Sequence, residues 1–336
     1  MQRSEFIQSL SLLGVGSMMP TGNEPEVKHP QRPPYLKTGG KIAITSPAGY
    51  ITLEQIQPAV KMMQGWGFEI VIGDTIGKRE GTLGGSDIER AADFQRFLDD
   101  ESIGAIMCAR GGYGVVRMMD RLNFEKFKKH PKWIIGFSDI TFLHSHLNRQ
   151  INLASIHSKM CNSFPDDWEQ ADEVQKSSIT LIKDCLMGEP ILTTALANQS
   201  NQMGIAKGVL VGGNLKCIES MAGSHSDLNT KGKILVVEDT GEYLYSIDRM
   251  FWNLKRSGKL ENLNGLVIGG FKIKPDDPGE EFGKSLEQIV LEKVKDYGYP
   301  VSFDFPIGHQ KDNRPLKLGI SYQLEVTADG TTLREL

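Results

Sequence analysis

The chain has 336 residues, of which 39% are hydrophobic and 24% are charged, and its formal net charge is −4. This length permits two domains with a large buried core, and the charge balance gives no basic surface of the kind that binds a nucleic-acid backbone. The four cysteines lie far apart and form no C-x-x-C pair, so neither a zinc cluster nor a disulfide framework is expected.

Residues 1–37 predict a signal-like or disordered tail. A basic residue, a short apolar stretch and small residues precede a polar, proline-rich segment, which is typical of an export signal followed by a tether. The segment resembles the twin-arginine type, but Ser4 stands beside Arg3 where a second arginine is expected. Its apolar stretch is too short to span a bilayer, so no stable membrane insertion is expected. If the segment is a functional signal, we expect a periplasmic protein. If it is only a disordered tail, we expect a cytoplasmic one.

Alternating strands and helices follow in residues 38–162. The segments KIAITSPAG, FEIVIG, IGAIMCA and KWIIG read as strands, and LEQIQPAVKMMQGWG, DIERAADFQRFLDD and YGVVRMMDRL read as helices. Parallel strands need long crossovers, so this alternation predicts a doubly wound parallel sheet with helices on both faces. Binding sites in such a sheet lie at the carboxyl ends of its strands.

The composition changes after the first domain. Residues 163–203 read as a linker region with one apolar helix-like segment, SSITLIKDCLMG. Residues 204–336 contain the strand-like segments AKGVLVG, KILVVED, NGLVIGGF and YQLEVTADGTTLREL and two helix-like segments. They predict a smaller α+β domain that is rich in antiparallel strand.

Ser138 follows the apolar run WIIGF and precedes a helix-like segment. A serine at a tight strand-to-helix turn is suited to be a nucleophile, because the free amides at the start of the helix point toward the group it attacks. The sequence is not G-x-S-x-G, since Ile140 occupies the last glycine position. The serine could equally be the N-cap of the helix, and both readings stay open.

CARGGYG, at 108–114, ends a predicted strand with closely spaced glycines. Its exposed amides could supply an oxyanion donor, or the segment could be a plain turn. A dinucleotide fingerprint is excluded because Arg117 stands where its last glycine is required. Cys108 is a weaker candidate nucleophile because it lies inside the strand.

Two further side chains could complete a catalytic site. Glu238 ends the apolar strand ILVVED and could orient a histidine or simply be solvated. His309, in PIGH, lies in a loop and could shuttle protons or be an ordinary surface histidine. His144 and His146 are spaced H-x-H without the glutamate of H-E-x-x-H, so no metal site is expected there.

Taken in order, these segments resemble the LD-carboxypeptidase family of serine peptidases, which includes the microcin-immunity peptidases. The resemblance covers about residues 38–330 and rests on the combination of ARGGYG, GFSDIT, VLVGGNL, VEDTGE and PIGH. It implies a flavodoxin-like N-terminal domain and a swivelling, barrel-like C-terminal domain, paired as a homodimer. No metal or cofactor is implied.

The resemblance also implies a Ser-Glu-His triad. Ser138 would be the nucleophile, Glu238 the orienting acid and His309 the base, with backbone amides of Gly112 and Asp139 as the oxyanion hole. The implied reaction is hydrolysis of the bond from an L-centre to a terminal D-amino acid, such as the D-alanine of a murein tetrapeptide. The contact for the terminal carboxylate is not identified, and Arg110 is a candidate only by its position.

Two positions depart from the family pattern. SIHSKM, at 155–160, stands where relatives carry HGPM, and Phe137 replaces a tyrosine. The altered wall near His157 leaves open a peptide-nucleotide substrate of the microcin type, for which Trp168 could form an aromatic recognition loop. A catalytically silent binder of wall peptides is the third alternative.

Overall fold

The structure, a computed structural model, describes residues 31–336. The signal-like part of the predicted tail, residues 1–30, lies outside the described residues. The strands are β1 Lys41–Thr45, β2 Glu69–Ile72, β3 Ile103–Cys108, β4 Trp133–Gly136, β5 Ser155–His157, β6 Leu192–Leu196, β7 Gly204–Asn214, β8 Ile234–Thr240, β9 Gly265–Lys272, β10 Val301–Ser302, β11 Leu316–Leu318, β12 Ser321–Thr327 and β13 Gly330–Glu335. The α-helices are α1 Leu53–Gly65, α2 Asp87–Asp99, α3 Val115–Met118, α4 Glu125–Lys129, α5 Thr141–His146, α6 Glu173–Met187, α7 Leu215–Ser220, α8 Leu244–Arg256 and α9 Leu286–Val294.

The first sheet has the strand order β11-β5-β4-β3-β1-β2. Strands β1 to β5 are all parallel, and their order is that of the flavodoxin-like doubly wound fold. This order confirms the predicted fold class of the first domain. Its topological switch point lies between β1 and β3, where the connections leave toward opposite edges of the sheet.

Both faces of the first sheet are covered, as the nearly continuous apolar strands require. Alternate residues of each strand point to opposite faces, so Ile42 and Ile44 pack with α1 and α6, while Ala43 packs with α2 and α5. Thr52 and Ser86 begin α1 and α2 with complete capping boxes, which fix where these helices start.

The second sheet has the order β10-β9-β8-β7-β12-β13-β6. Strands β7 to β10 are parallel, whereas β12, β13 and β6 pair antiparallel beyond β7. The second domain is therefore a mixed α+β unit, with α8 and α9 packed on its parallel half. Within the described residues no helix is both long and apolar enough to cross a membrane.

The strand pairing differs from the predicted domain limits in two places. Strand β6 lies inside 163–203, the predicted linker region, yet pairs with β13 of the second sheet. Strand β11 lies inside 204–336, yet pairs antiparallel with β5 and so closes the edge of the first sheet. Hydrogen bonding at the sheet edges decides which sheet each of these two strands joins, and local sequence patterns do not encode that bonding.

The end of the predicted tail is packed against the folded chain. Tyr35 stacks on Trp133 with ring centroids 5.6 Å apart, and Leu36 is buried in the core. The Pro34 carbonyl accepts a hydrogen bond from the indole of Trp133 at 3.1 Å. Residues 31–37 therefore belong to the fold, because an aromatic and an aliphatic side chain among the prolines bury apolar surface.

Candidate active site

Ser138 lies in a strained turn between β4 and α5. Its φ is +61°, a left-handed conformation that is uncommon for a residue with a side chain. A short 3₁₀ turn, Ser138–Ile140, then leads directly into α5. No side-chain capping bond forms at the start of either helix, so the N-cap reading of Ser138 is not supported. This is the geometry that lifts a nucleophile out of a sheet.

The glycine segment after β3 lies beside this turn. A Cβ on Gly111 would be 3.1 Å from Cβ and 3.3 Å from Oγ of Ser138, so the two segments approach closely. Gly112 has φ +110°, a conformation that favours glycine. The carbonyl of Gly111 accepts a hydrogen bond from the Gly49 amide at 3.0 Å, which joins this segment to the one after β1.

Asp139 holds the start of the turn in place from inside the protein. Its carboxylate accepts a hydrogen bond from the Val115 amide at 2.8 Å, and its side chain is buried. Burial raises the pKa of Asp139 to about 6, and the bond from Val115 opposes that rise. The backbone N–H of Asp139 lies in the first turn, where no preceding helical carbonyl is available to accept a hydrogen bond from it.

Glu238 and His309 form a close pair in the second domain. His309 Nδ1 lies 2.5 Å from Glu238 Oε2, and the glutamate side chain is fully buried while 18% of the histidine side chain is exposed. This contact directs Nδ1–H toward the carboxylate and leaves Nε2 to face outward. Within residues 31–336 Nε2 has no hydrogen-bond partner.

A bulge in the second sheet makes room for this pair. The pairing of β8 with β9 shifts register at Glu238, opposite Gly269 and Gly270. A Cβ on Gly269 would lie 2.5 Å from Ile307, and one on Gly270 would lie 2.6 Å from Gln310. Both glycines therefore allow the His309 segment to lie directly against β9.

The two domains bring Phe137, the neighbour of Ser138, close to His309. The ring of Phe137, the residue before Ser138, lies 5.0 Å from the His309 ring, centroid to centroid. Behind the turn, the Asn214 amide donates to Thr141 Oγ1 at 2.9 Å, which joins β7 of the second domain to the start of α5. The serine turn and the Glu–His pair thus meet at one interdomain face, as expected of a ligand site.

The remaining sequence candidates lie in different surroundings. Cys108 is fully buried, and desolvation raises the pKa of its thiol well above the ordinary value, which suits an inert core residue. Arg110 donates from Nη1 to the Tyr50 carbonyl at 3.0 Å. Trp168 lines a separate cavity of about 330 Å³ with Trp66 and other residues of the α1 side, and the glycine segment is not part of that lining.

His144 and His157 are buried in the core. His144 is held by Ser155 Oγ at 2.8 Å and the Gly136 carbonyl at 2.9 Å, and burial lowers its pKa to about 4. Burial also lowers the pKa of His157 to about 3, and its ring lies 5.8 Å from Phe137. Among the residues that the structure describes, no three His, Cys, Asp or Glu side chains are grouped to hold a metal ion.

Sequence reasoning missed several residues that position the site. Gly308 and Lys159 support the His309 segment: the Gly308 amide donates to Asn313 Oδ1 at 2.9 Å, and the buried Lys159 ammonium donates to the Lys311 carbonyl at 2.8 Å. The nearest available signals were the glycine in PIGH and the lysine in HSKM, but neither residue type predicts a contact that spans about 150 residues of chain.

Two family models match the chain. The LD-carboxypeptidase N-terminal domain matches residues 42–158, and the LD-carboxypeptidase C-terminal domain matches residues 207–324. The chain belongs to the LD-carboxypeptidase family. The predicted resemblance is confirmed, and the protein is a serine-type carboxypeptidase.

Similar proteins extend over most of this LD-carboxypeptidase. It is 29% identical over 306 residues to the probable murein peptide carboxypeptidase of Bacillus subtilis, a match that covers 90% of this chain and 94% of the relative. The crystal structure of muramoyltetrapeptide carboxypeptidase from Oxalobacter formigenes aligns with a TM-score of 0.78 and 26% identity over 88% of this chain and 98% of that one.

A second solved structure shares the fold at lower identity. The wild-type apo structure of the microcin C7 self immunity protein MccF aligns with a TM-score of 0.79 over 91% of this chain and 99% of that one, with 19% identity. At this identity the comparison shows the fold alone. Both solved neighbours confirm the predicted two-domain α/β architecture.

Proposed function

We propose that this enzyme releases the terminal D-alanine of a murein tetrapeptide through a triad of Ser138, Glu238 and His309. The observation that carries the proposal is the 2.5 Å contact between His309 and the buried Glu238, at a face where Phe137 brings the strained Ser138 turn against the histidine ring. The proposed substrate is supported by the names of two relatives, a probable murein peptide carboxypeptidase and a muramoyltetrapeptide carboxypeptidase.

The first half of the reaction forms an acyl-enzyme. His309 Nε2 takes the proton of Ser138 Oγ while Oγ attacks the carbonyl carbon on the L side of the scissile bond. The resulting oxyanion accepts hydrogen bonds from the amides of Gly112 and Asp139. As the tetrahedral intermediate collapses, the carbon–nitrogen bond breaks, and His309 gives its proton to the amine of the departing D-alanine.

The second half repeats these steps with water. His309 takes a proton from a water molecule, whose oxygen attacks the acyl carbon, and then returns the proton to Ser138 Oγ as the tripeptide leaves. Glu238 fixes the imidazole so that Nε2 faces the serine, and its charge stabilises the imidazolium that forms twice in each cycle. A buried carboxylate serves this purpose well because low local polarity strengthens the interaction.

The partner proposed for this enzyme is thus a murein peptide, and we also propose a homodimer. The microcin-type alternative shares the fold, but nothing in the described residues favours a nucleotide over a murein peptide, since Trp168 lines a separate cavity with Trp66. Where the enzyme acts, in the periplasm or in the cytoplasm, depends on the signal-like segment.

The test is release of D-alanine from murein tetrapeptide by the full-length chain, followed by mass spectrometry. We expect Ser138→Ala to lower release by about 10⁴-fold or more, and Glu238→Gln to lower it by about the same order. Ser102→Ala is the matched control, because Ser102 is an exposed serine of the first domain outside the site.

Three outcomes contradict parts of the proposal. Unchanged release by Ser138→Ala would remove the nucleophile assignment. Binding of tetrapeptide by a folded wild-type enzyme without any release would favour the silent binder. Neither binding nor release would remove the murein assignment and direct the search to peptide-nucleotide substrates.

A further inference from the structure

A cavity of about 410 Å³ lies at the carboxyl ends of β1 and β3. The strand order reverses between these two strands, which is the switch point where open α/β sheets bind their ligands. The chain segments after both strands form its wall and are joined by the Gly49–Gly111 hydrogen bond. Its lining residues are Gly49, Tyr50, Arg79, Gly81, Thr82, Arg110, Gly112 and Tyr113.

This cavity is positively charged. Arg79 and Arg110 line it, and among the described residues its lining contains no aspartate or glutamate. Within residues 31–336 neither arginine forms an ion pair with a carboxylate, whereas Arg90, Arg96 and Arg117 all do. Two guanidinium groups without a protein counter-ion favour an anionic ligand in the same space.

Arg110 is held in position but keeps an unused donor. Nη1 donates to the Tyr50 carbonyl at 3.0 Å, which fixes the plane of the guanidinium. Nε is buried and has no hydrogen-bond partner among the described residues. A buried donor without an acceptor is costly, and a planar group with a free donor edge matches the oxygens of a carboxylate.

Arg79 lies over the Tyr50 ring at the exposed side of the cavity. Its guanidinium carbon is 5.0 Å from the ring centroid, and Nε donates to the Gly81 carbonyl at 2.9 Å. In the part of the chain that the structure describes, its Nη groups have no hydrogen-bond partner. Arg110 therefore supplies the inner cation and Arg79 the outer one, with Tyr50 in contact with both.

The cavity adjoins the reacting groups. Gly112, whose amide is a predicted oxyanion donor, is part of its lining, and the preceding Gly111 contacts Ser138. In a peptide whose last residue is removed, the terminal carboxylate lies one residue beyond the carbonyl that the serine attacks. A carboxylate site is therefore required next to the oxyanion hole, on the leaving-group side.

We propose that this cavity binds the terminal carboxylate of the departing D-amino acid, with Arg110 as the principal contact and Arg79 as the second. This inference rests on the proposed function, because it assigns the leaving-group side of the same site. The arginine pair makes the enzyme a carboxypeptidase: a substrate that ends in a neutral amide keeps one acceptor oxygen but loses the second one and the ionic attraction, so it is bound more weakly.

The experiment compares two tetrapeptides that differ only in ending in D-alanine or in D-alaninamide. For the wild-type enzyme we expect kcat/KM to favour the acid by about 10- to 100-fold, the range for hydrogen bonds to a charged group. Arg110→Met should lower kcat/KM for the acid by that factor and leave the amide nearly unchanged. Arg79→Met should show the same pattern to a smaller extent.

Two variants separate this role from a structural one. Arg110→Lys keeps the charge but loses the planar donor pair, so it should restore part of the preference for the acid. Arg256→Met, which removes an exposed arginine at the end of α8, should change neither substrate. Thermal unfolding of each variant checks that the fold is intact.

Binding to Ser138→Ala, measured by calorimetry, makes the outcome independent of turnover. The site is supported if Ser138→Ala binds the acid more tightly than the amide and Ser138→Ala/Arg110→Met loses this difference. This conclusion holds even if the wild-type enzyme releases no D-alanine, because the lack of release would contradict only the proposed reaction. Equal binding of acid and amide, or no binding of the acid, overturns the carboxylate site. Release of D-alanine with the same acid-to-amide ratio in Arg110→Met overturns it and leaves the proposed reaction standing.

Discussion

Replacing Gly308 by alanine should displace the Glu238–His309 pair. Gly308 precedes His309 and has φ +90°. A Cβ built there would lie 2.4 Å from Cβ, 2.7 Å from Cγ and 2.9 Å from Oε2 of Glu238. Since carbon atoms pack at about 3.5–4.0 Å, Glu238 or the His309 segment must move by about 1 Å.

The expected cost has two parts. A left-handed backbone costs alanine about 1–2 kcal/mol, and forcing an extra methyl into a packed interior costs about 1–3 kcal/mol more. The total loss in free energy of unfolding is therefore about 2–5 kcal/mol. A catalytic group misplaced by about 1 Å lowers the rate on the order of 100-fold.

Gly279 provides the matched control. Its φ is +81°, close to that of Gly308, but a Cβ there would meet nothing within 4 Å. Gly279→Ala should therefore cost about 1–2 kcal/mol of stability from the backbone alone and leave turnover unchanged. Urea unfolding and the D-alanine release assay, run on both variants and the wild type, separate strain from displacement.

The reasoning is refuted if Gly308→Ala and Gly279→Ala lose equal stability and Gly308→Ala keeps wild-type kcat/KM. That result would show that the segment accommodates the methyl group without moving the pair. Loss of stability without loss of activity would show that the displacement occurs away from His309.

Three further predictions concern the same site. Ser138→Gly should be more stable than Ser138→Ala by about 1 kcal/mol in urea unfolding, because glycine relieves the positive φ; equal stability would contradict the strain. Burial raises the pKa of Asp139 from 3.8 to about 6, so its contribution to stability is present below pH 3.8 and is lost as pH rises through 6. Asp139→Asn should therefore gain about 2 kcal/mol relative to wild type between pH 4.5 and 7, and a constant difference would contradict the shift. Lys159→Met removes the hydrogen bond to the Lys311 carbonyl and should lower kcat by about 10- to 100-fold. Lys311→Ala keeps that backbone carbonyl and should leave kcat unchanged. Equal values of kcat for the two variants would contradict a role for the hydrogen bond.

Much of the fold could be predicted because it follows from local patterns. The apolar runs of β1, β3 and β4 and the amphipathic helices between them specify a covered parallel sheet. The memberships of β6 and β11 could not be predicted in this way. Both are short edge strands, and the sheet that each joins depends on which edge the rest of the chain leaves open.

The candidate site, too, could be predicted only in part. Serine, glutamate and histidine could be selected by their positions after strands and in loops, but each had a plain structural alternative. Only the folded chain shows Glu238 against His309, Ser138 at φ +61° and the Arg79–Arg110 cavity. The triad and oxyanion residues remain predictions for the assays above.

By itself the sequence determined the main apolar strands and the longer amphipathic helices, because these properties depend on residues close together in the chain. The tertiary structure decided which side chains meet. Ser138 and His309 are 171 residues apart, and Arg79 and Arg110 come from different loops. Such meetings depend on sheet order, on the bulge at Glu238 and on the packing of one domain against the other, and these are determined by the fold as a whole.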